Sequence, residues 1–361
     1  MERGGYAELP LHYGTTPRWL FERMKTLSAE IVKIIIDDFG TEELLRRLAN
    51  PYWFQAFSCV IGFDWHSSGT TTVTLGALKS GIDAEEFGIA VLGGKGKSSL
   101  KVQEEVDKYA EIFSWSSQKV DELKYASRMA AKVDNACVQD GYQLYHHVMV
   151  VDERGNWTVV QQGMNTEKRY ARRYHWLSLK IDNYVNEPHS GIISEKIHPR
   201  VLDMTSRDSE ECRKVSVDIV KDNPMKLKKY IVEVPRRESL DRFLGVKSIK
   251  MPWRINWDAL RKAYDFQPKN YEELIGIRGI GPSTVRALAY IADVIYGAEP
   301  SWKDPVKYTF AVGGKDGVPK PIDRKAYDEA IKMLQLTIEE STLGIKEKKE
   351  MLKRLRSLVP P

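Results

Sequence analysis

Cysteine is scarce: the 361 residues contain three, Cys59, Cys137 and Cys212, far apart and in no CxxC spacing. That excludes a disulfide framework, a cysteine zinc site and a four-cysteine iron–sulfur cluster. A reducing, cytoplasmic setting is the expectation. No run of about 18 apolar residues occurs, so no transmembrane helix and no membrane partner are expected. The opening stretch MERGGYAELPLHYG carries acid and lacks an apolar core, unlike a signal peptide. A nucleotide P-loop is missing too. Gly93-Gly94-Lys95-Gly96-Lys97 looks like a phosphate cradle, but Val91 stands where the Walker pattern requires Gly. No nucleotide cofactor is therefore expected. Lys95 and Lys97 remain as a basic nest for a phosphate of DNA.

What is present is an ordinary soluble composition, 42% hydrophobic and 29% charged, in a chain long enough for two domains. The net charge of +5 is unevenly placed. Arg213 to Lys262 holds 14 Lys or Arg and 6 Asp or Glu, a local +8, which leaves −3 for the rest. A charged stripe of this kind suits a polyanion. Residues 190–205, EPHSGIISEKIHPRVLD and its surroundings, mix Pro, Gly and Ser with little periodicity and are read as a boundary. The fold class expected is α+β. A mixed α/β domain spans 1–200, and an all-α domain spans 201–361.

Within the first part, periodicity predicts helices at Met24–Phe39, at 42–49 after Thr41, at Thr70–Lys79, at Val102–Phe113 and at Lys119–Ala136. Phe57–Phe63 reads as a buried strand and Phe87–Leu92 as a short one. Tyr142–Val151 and Trp157–Gln162 read as a β-hairpin around 152–156. Lys168–Asn183 reads as a helix whose one flank carries Arg169, Arg172, Arg173 and Trp176. Basic and aromatic groups so interleaved suit a surface that tracks single strands. Beyond the boundary helices are predicted at 208–221, 225–231, 256–264 and 324–356.

The sharpest signal is YEELIGIRGIGPSTVRALAYIADVIYG at 271–297. Two helical patterns flank Gly279-Ile280-Gly281, and Pro282 suits the first position of the second helix. Bare amides at that helix start favour a phosphate. The stretch resembles the helix-hairpin-helix motif of DNA-repair and replication proteins. The resemblance implies backbone contacts from Gly279, Gly281, Ser283, Thr284 and Arg286, with DNA as partner, damaged and single-stranded forms included.

Candidate chemistry lies in the first part. Phe63-Asp64-Trp65-His66-Ser67-Ser68-Gly69 places an acid, a histidine and two hydroxyls in one Gly-bounded loop. Asp140 precedes the β-hairpin. Strand alternation puts His147 on a polar face and His146 among aliphatics, so the two histidines cannot share a site. Gln161 and Gln162 stand where an acid–lysine nuclease would place its acid and lysine. His189 is a third group for a divalent-metal site with Asp64 and His66, using Mg or Mn to activate water. The catalytic candidates are thus Asp64, His66, Asp140, His147, Gln162 and His189.

Gly313-Gly314-Lys315 followed by Pro321-Ile322-Asp323 resembles the Gly/Pro loop and catalytic Asp of the glycosylase superfamily. The resemblance implies Asp323 as catalytic acid and Lys315 as a substitute amine. The gap from Gly281 to Asp323 is about twice the family's, and Ser283 stands where bifunctional members carry lysine. Taken whole, the chain resembles a largely archaeal prokaryotic family of unknown function. LPLHYG at 9–14, FDWHSSG at 63–69, GGKGK at 93–97, DGYQLYHH at 140–147, VSVDIVKDNP at 215–224 and GGKDGVPKPIDR at 313–324 carry that resemblance. The function expected is a DNA-repair-type enzyme hydrolysing phosphodiesters with a metal. The alternatives are base excision centred on Asp323 and a non-catalytic DNA-binding adaptor.

Overall fold

The computed structural model describes residues 16–62, 69–165, 170–194, 196–223, 226, 255–307, 338–339 and 344–358. Helix α1 (Arg18–Phe39) buries Met24, Leu27, Ile31, Val32 and Ile35, the stripe its helical spacing dictates. In α2 (Thr41–Leu48), Glu42 and Glu43 occupy the first turn and Arg46 and Arg47 the last, matching the helix dipole.

The next element corrects the sequence reading. Residues 57–60 are not a strand but the last turn of α3 (Pro51–Val60). Asn50 starts this helix: its side chain accepts from Tyr52 N at 2.9 Å and Trp53 N at 3.3 Å, with Pro51 in the first helical position. All of residues 53–60 are buried, so no polar face breaks the apolar run into a helical period.

Then follow α4 (Gly69–Gly81), α5 (Ala84–Phe87), β1 (Ile89–Lys95), a 3-10 turn at Gly96–Lys101, α6 (Val102–Phe113) and α7 (Ser117–Ala136). Strands β2 (Val138–Gln139), β3 (Gln143–Asp152), β4 (Trp157–Asn165), β5 (Tyr170–Leu177), β6 (His189–Ser194) and β7 (Leu202–Asp203) complete the mixed region. Helices α8 (Glu210–Lys221), α9 (Trp257–Phe266), α10 (Tyr271–Gly276), α11 (Pro282–Tyr296) and α12 (Ile345–Leu358) follow.

The main sheet is antiparallel throughout, in the order β1-β3-β4-β5-β6. Helices cover both faces. On the first face Met149, Val151, Val159 and Trp176 pack with apolar side chains of α6, α7, α8, α9, α10 and α11. On the second, Val148, Val150, Val160 and Leu177 pack with α1, α2, α3 and α4. The first cluster runs continuously across residue 200, and the stretch read as a boundary contributes β6 and β7.

Strand β5 is the second correction. Residues 170–177 were expected in a helix. In the strand, Arg172, Tyr174 and Trp176 point to the first face and Arg173, His175 and Leu177 to the second. Both faces are buried, so the polar–apolar alternation that marks a half-exposed strand is missing. No helix among the described residues is long and apolar enough to cross a membrane.

Candidate functional site

The hairpin between α10 and α11 is built from its turn outward. Gly279 has φ +100, and a Cβ there would stand 2.9 Å from Ala259 Cβ and from Asn256 Nδ2, so backbone conformation and packing both require glycine. Ile280 is buried and pins the turn. Gly281 precedes α11, which has no side-chain cap, and a Cβ on Gly281 would meet nothing within 4 Å. The approach to the start of α11 over Gly281 is therefore open. Thr284 is buried.

Cations gather at this turn. Arg278 is exposed. Lys132 Nζ donates to Ile277 O at 3.4 Å. Arg286 Nε donates to Gln139 Oε1 at 2.6 Å, and Gln139 Nε2 donates to Pro282 O at 2.8 Å. The turn is thus tied to α7 and β2.

At one end of the sheet the structure gathers several stretches singled out by sequence. Lys95, His146, Gln162 and Arg173 are cross-strand neighbours in one row, on the second face. A bulge after Leu144 adds Tyr145, whose hydroxyl accepts from Gln162 Nε2 at 2.5 Å. His146 is buried, neither ring nitrogen has a partner among the described residues, and burial pushes its pKa down to about 3. Arg173 reaches Gln55 on α3 and Thr71 on α4, which flank the loop at 63–68. Lys95 and Lys97 are exposed at the edge of this end. Gly93 is explained by packing, because the His147 carbonyl lies against it and a Cβ would not fit.

The next row faces the other way and forms a closed network. The Gln161 Nε2 amide donates to Asp134 Oδ2 of α7 at 2.5 Å. Gln161 Oε1 then accepts from His147 Nδ1 at 2.7 Å. Burial holds His147 below the usual imidazole range, so the ring is neutral and its Nε2 accepts from Ser127 Oγ at 2.9 Å. Trp176 Nε1 donates to Asp134 Oδ2 at 3.0 Å, and His189 Nε2 lies 2.5 Å from Oδ1. The order hydroxyl–imidazole–amide–carboxylate has the form of a nucleophile–base relay. Ser127 is only 4% exposed, so here the chain of bonds clamps α7 to the sheet.

Several expected roles change. Arg172 and Arg173 are fully buried and on opposite faces, so they do not form a DNA-tracking surface. Arg172 pairs with Asp140 at 2.9 Å and with Asp304 at 2.7 Å. Burial alone would lower its pKa, yet Asp140, Tyr174 and Asp304 raise it. Asp140 also accepts from Tyr174 Oη at 2.7 Å and from Tyr142 N at 2.9 Å, a structural anchor rather than a catalytic acid. His147 and His189 meet in one network, whereas Gln162 faces the opposite side. His189 is held in the Asp134 network, and its two expected partners in a metal site, Asp64 and His66, lie outside the described residues. Among the described residues no group of three or more His, Cys, Asp or Glu is arranged to hold a metal ion. Asp64, His66, Arg169, Lys315 and Asp323 lie outside the described residues, as does most of the basic block. Sequence reasoning missed Ser127, Asp134 and Asp304, which no motif marks. Gln161 was noted but not selected.

A family model described as a protein of unknown function (DUF763) matches residues 5–322. The chain belongs to that family. Comparisons with curated proteins and with solved structures returned no match. Membership therefore brings no mechanism, and function rests on the geometry of the family's fold in this chain.

Proposed function

We propose that this chain binds DNA through the α10–α11 hairpin and acts on it as a repair-type enzyme that hydrolyses phosphodiester bonds. The observation that carries the reading is the uncapped start of α11. The approach over Gly281 is open, with Lys132, Arg278 and Arg286 around the turn. A phosphate of the backbone fits such a position, and such contacts carry no sequence preference. The site of chemistry is the sheet end where Lys95, His146, Gln162 and Arg173 line up and where α3 and α4 approach the loop of Asp64 and His66. That end holds an imidazole with both nitrogens uncommitted among the described residues, which can bond an incoming ligand.

The deciding experiment incubates the full chain with labelled single-stranded, duplex, nicked and base-damaged DNA in Mg²⁺, Mn²⁺ or EDTA. Strand cleavage with either metal and none in EDTA is the expected result. Metal-independent release of a damaged base would move the chemistry to Asp323. Binding without turnover would leave an adaptor.

A further inference from the structure

Among the described residues Arg173 is a buried cation without a carboxylate partner. Its Nη2 donates to Gln55 Oε1 at 3.0 Å, its Nη1 lies 3.4 Å from Thr71 Oγ1, and its Nε has no partner. The guanidinium rests 4.5 Å over the Phe54 ring. No carboxylate lies within ion-pair distance of it among the described residues. Its sequence neighbour shows what a structural arginine looks like in this sheet: Arg172, equally buried, has two carboxylates. An unpaired buried charge is costly to fold around, so its retention calls for a ligand that supplies the missing charge.

The rest of the row has the same chemistry. His146, two strands away on the same face, has two uncommitted ring nitrogens. Gln162 lies between them and donates an amide to Tyr145 Oη. Exposed Lys95 ends the row. The row contains cations and neutral polar groups and no acid. Its outer end is the half-exposed Tyr145 and the exposed Lys95.

We propose that this row is a binding site for a phosphoryl group. Arg173 supplies the counter-charge, His146 an imidazole N–H, and Gln162 the amide that Tyr145 now occupies. A phosphoryl oxygen takes the place of the Tyr145 hydroxyl on Gln162, and Lys95 attracts the anion at the rim. The site is separate from the hairpin and does not depend on it. Two sources carry the same group: the end of a DNA strand and a small phosphorylated molecule.

The test measures melting of the full chain in inorganic phosphate against chloride at equal ionic strength, for wild type, Arg173→Met and His146→Phe. Wild type should gain several degrees in a saturable manner. Arg173→Met should melt at or above the wild-type temperature without phosphate, because a buried unpaired charge has been removed, and should lose the gain. His146→Phe should keep its fold and bind phosphate at least about tenfold more weakly. Binding of a 5′-phosphorylated oligonucleotide about tenfold tighter than its 5′-hydroxyl form identifies the DNA end as the source. Equal binding with the phosphate gain intact identifies a small molecule. Absence of a saturable gain in wild type overturns the site. A full gain in Arg173→Met overturns it as well. If Arg173→Met fails to fold, wild-type phosphate affinity in His146→Phe overturns it. Gly281→Val should leave the phosphate gain untouched, which separates this site from the hairpin reading.

Discussion

Arg172 and Asp304, 132 residues apart, form a two-pronged buried pair, with Nη1 3.0 Å from Oδ1 and Nη2 2.7 Å from Oδ2. The pair fastens the segment after α11 to β5 of the sheet. Asp304 Oδ2 also accepts from His198 N at 2.7 Å, so one carboxylate fixes three parts of the chain.

Asp304→Asn should therefore destabilise the protein by on the order of 3 kcal/mol, the lower end for breaking a buried ion pair, because Asp140 still faces the arginine. Urea unfolding at pH 7 measures it. An unchanged midpoint would mean that the pair holds nothing together.

Gly279 and Gly281 should behave differently. Gly279→Ala forces a side chain into a left-handed backbone and against Ala259, and should cost about 1–3 kcal/mol. Gly281→Val enters open space on extended backbone and should cost less than about 1 kcal/mol. Thermal melts of the two variants decide this, and equal losses would contradict the described turn.

His146, His147 and His175 are all buried, and burial lowers all three, His146 to about 3. The unfolded chain protonates such rings near pH 6.5, and the folded chain does not. Stability should hold above about pH 6.5 and fall as the pH drops toward 3. His146→Phe should remove one proton from that linkage, about 1.4 kcal/mol per pH unit across the window. Urea titrations at pH 7, 6 and 5 measure the slope. An identical slope in the variant would mean that the ring is already protonated in the folded state.

Much of the fold was legible where one face of an element meets water. Helix α6 matches its expected bounds because its buried Val102 and Val106 recur at helical spacing between exposed charges. The β3–β4 hairpin was marked by the turn at 152–156. The elements misread, α3 and β5, are those buried on every side. Arg172 and Arg173 mimicked a helical flank because both are cations, although they point opposite ways. The separation of His146 from His147 followed from strand alternation alone. The bulge at Tyr145 and the reach of Asp134 to Gln161, Trp176 and His189 could not be read, since they depend on contacts across the fold.

The central claim is that the hairpin holds the DNA backbone. Its most direct test is fluorescence anisotropy of a labelled duplex titrated with the full chain at several salt concentrations, for wild type, Gly281→Val and Arg278→Glu. Wild-type affinity should fall linearly with salt on logarithmic axes, by about 0.9 per phosphate neutralised. Both variants, still folded by their melts, should bind at least about tenfold more weakly, and Arg278→Glu should flatten the slope. Wild-type affinity and slope in both variants would contradict the account.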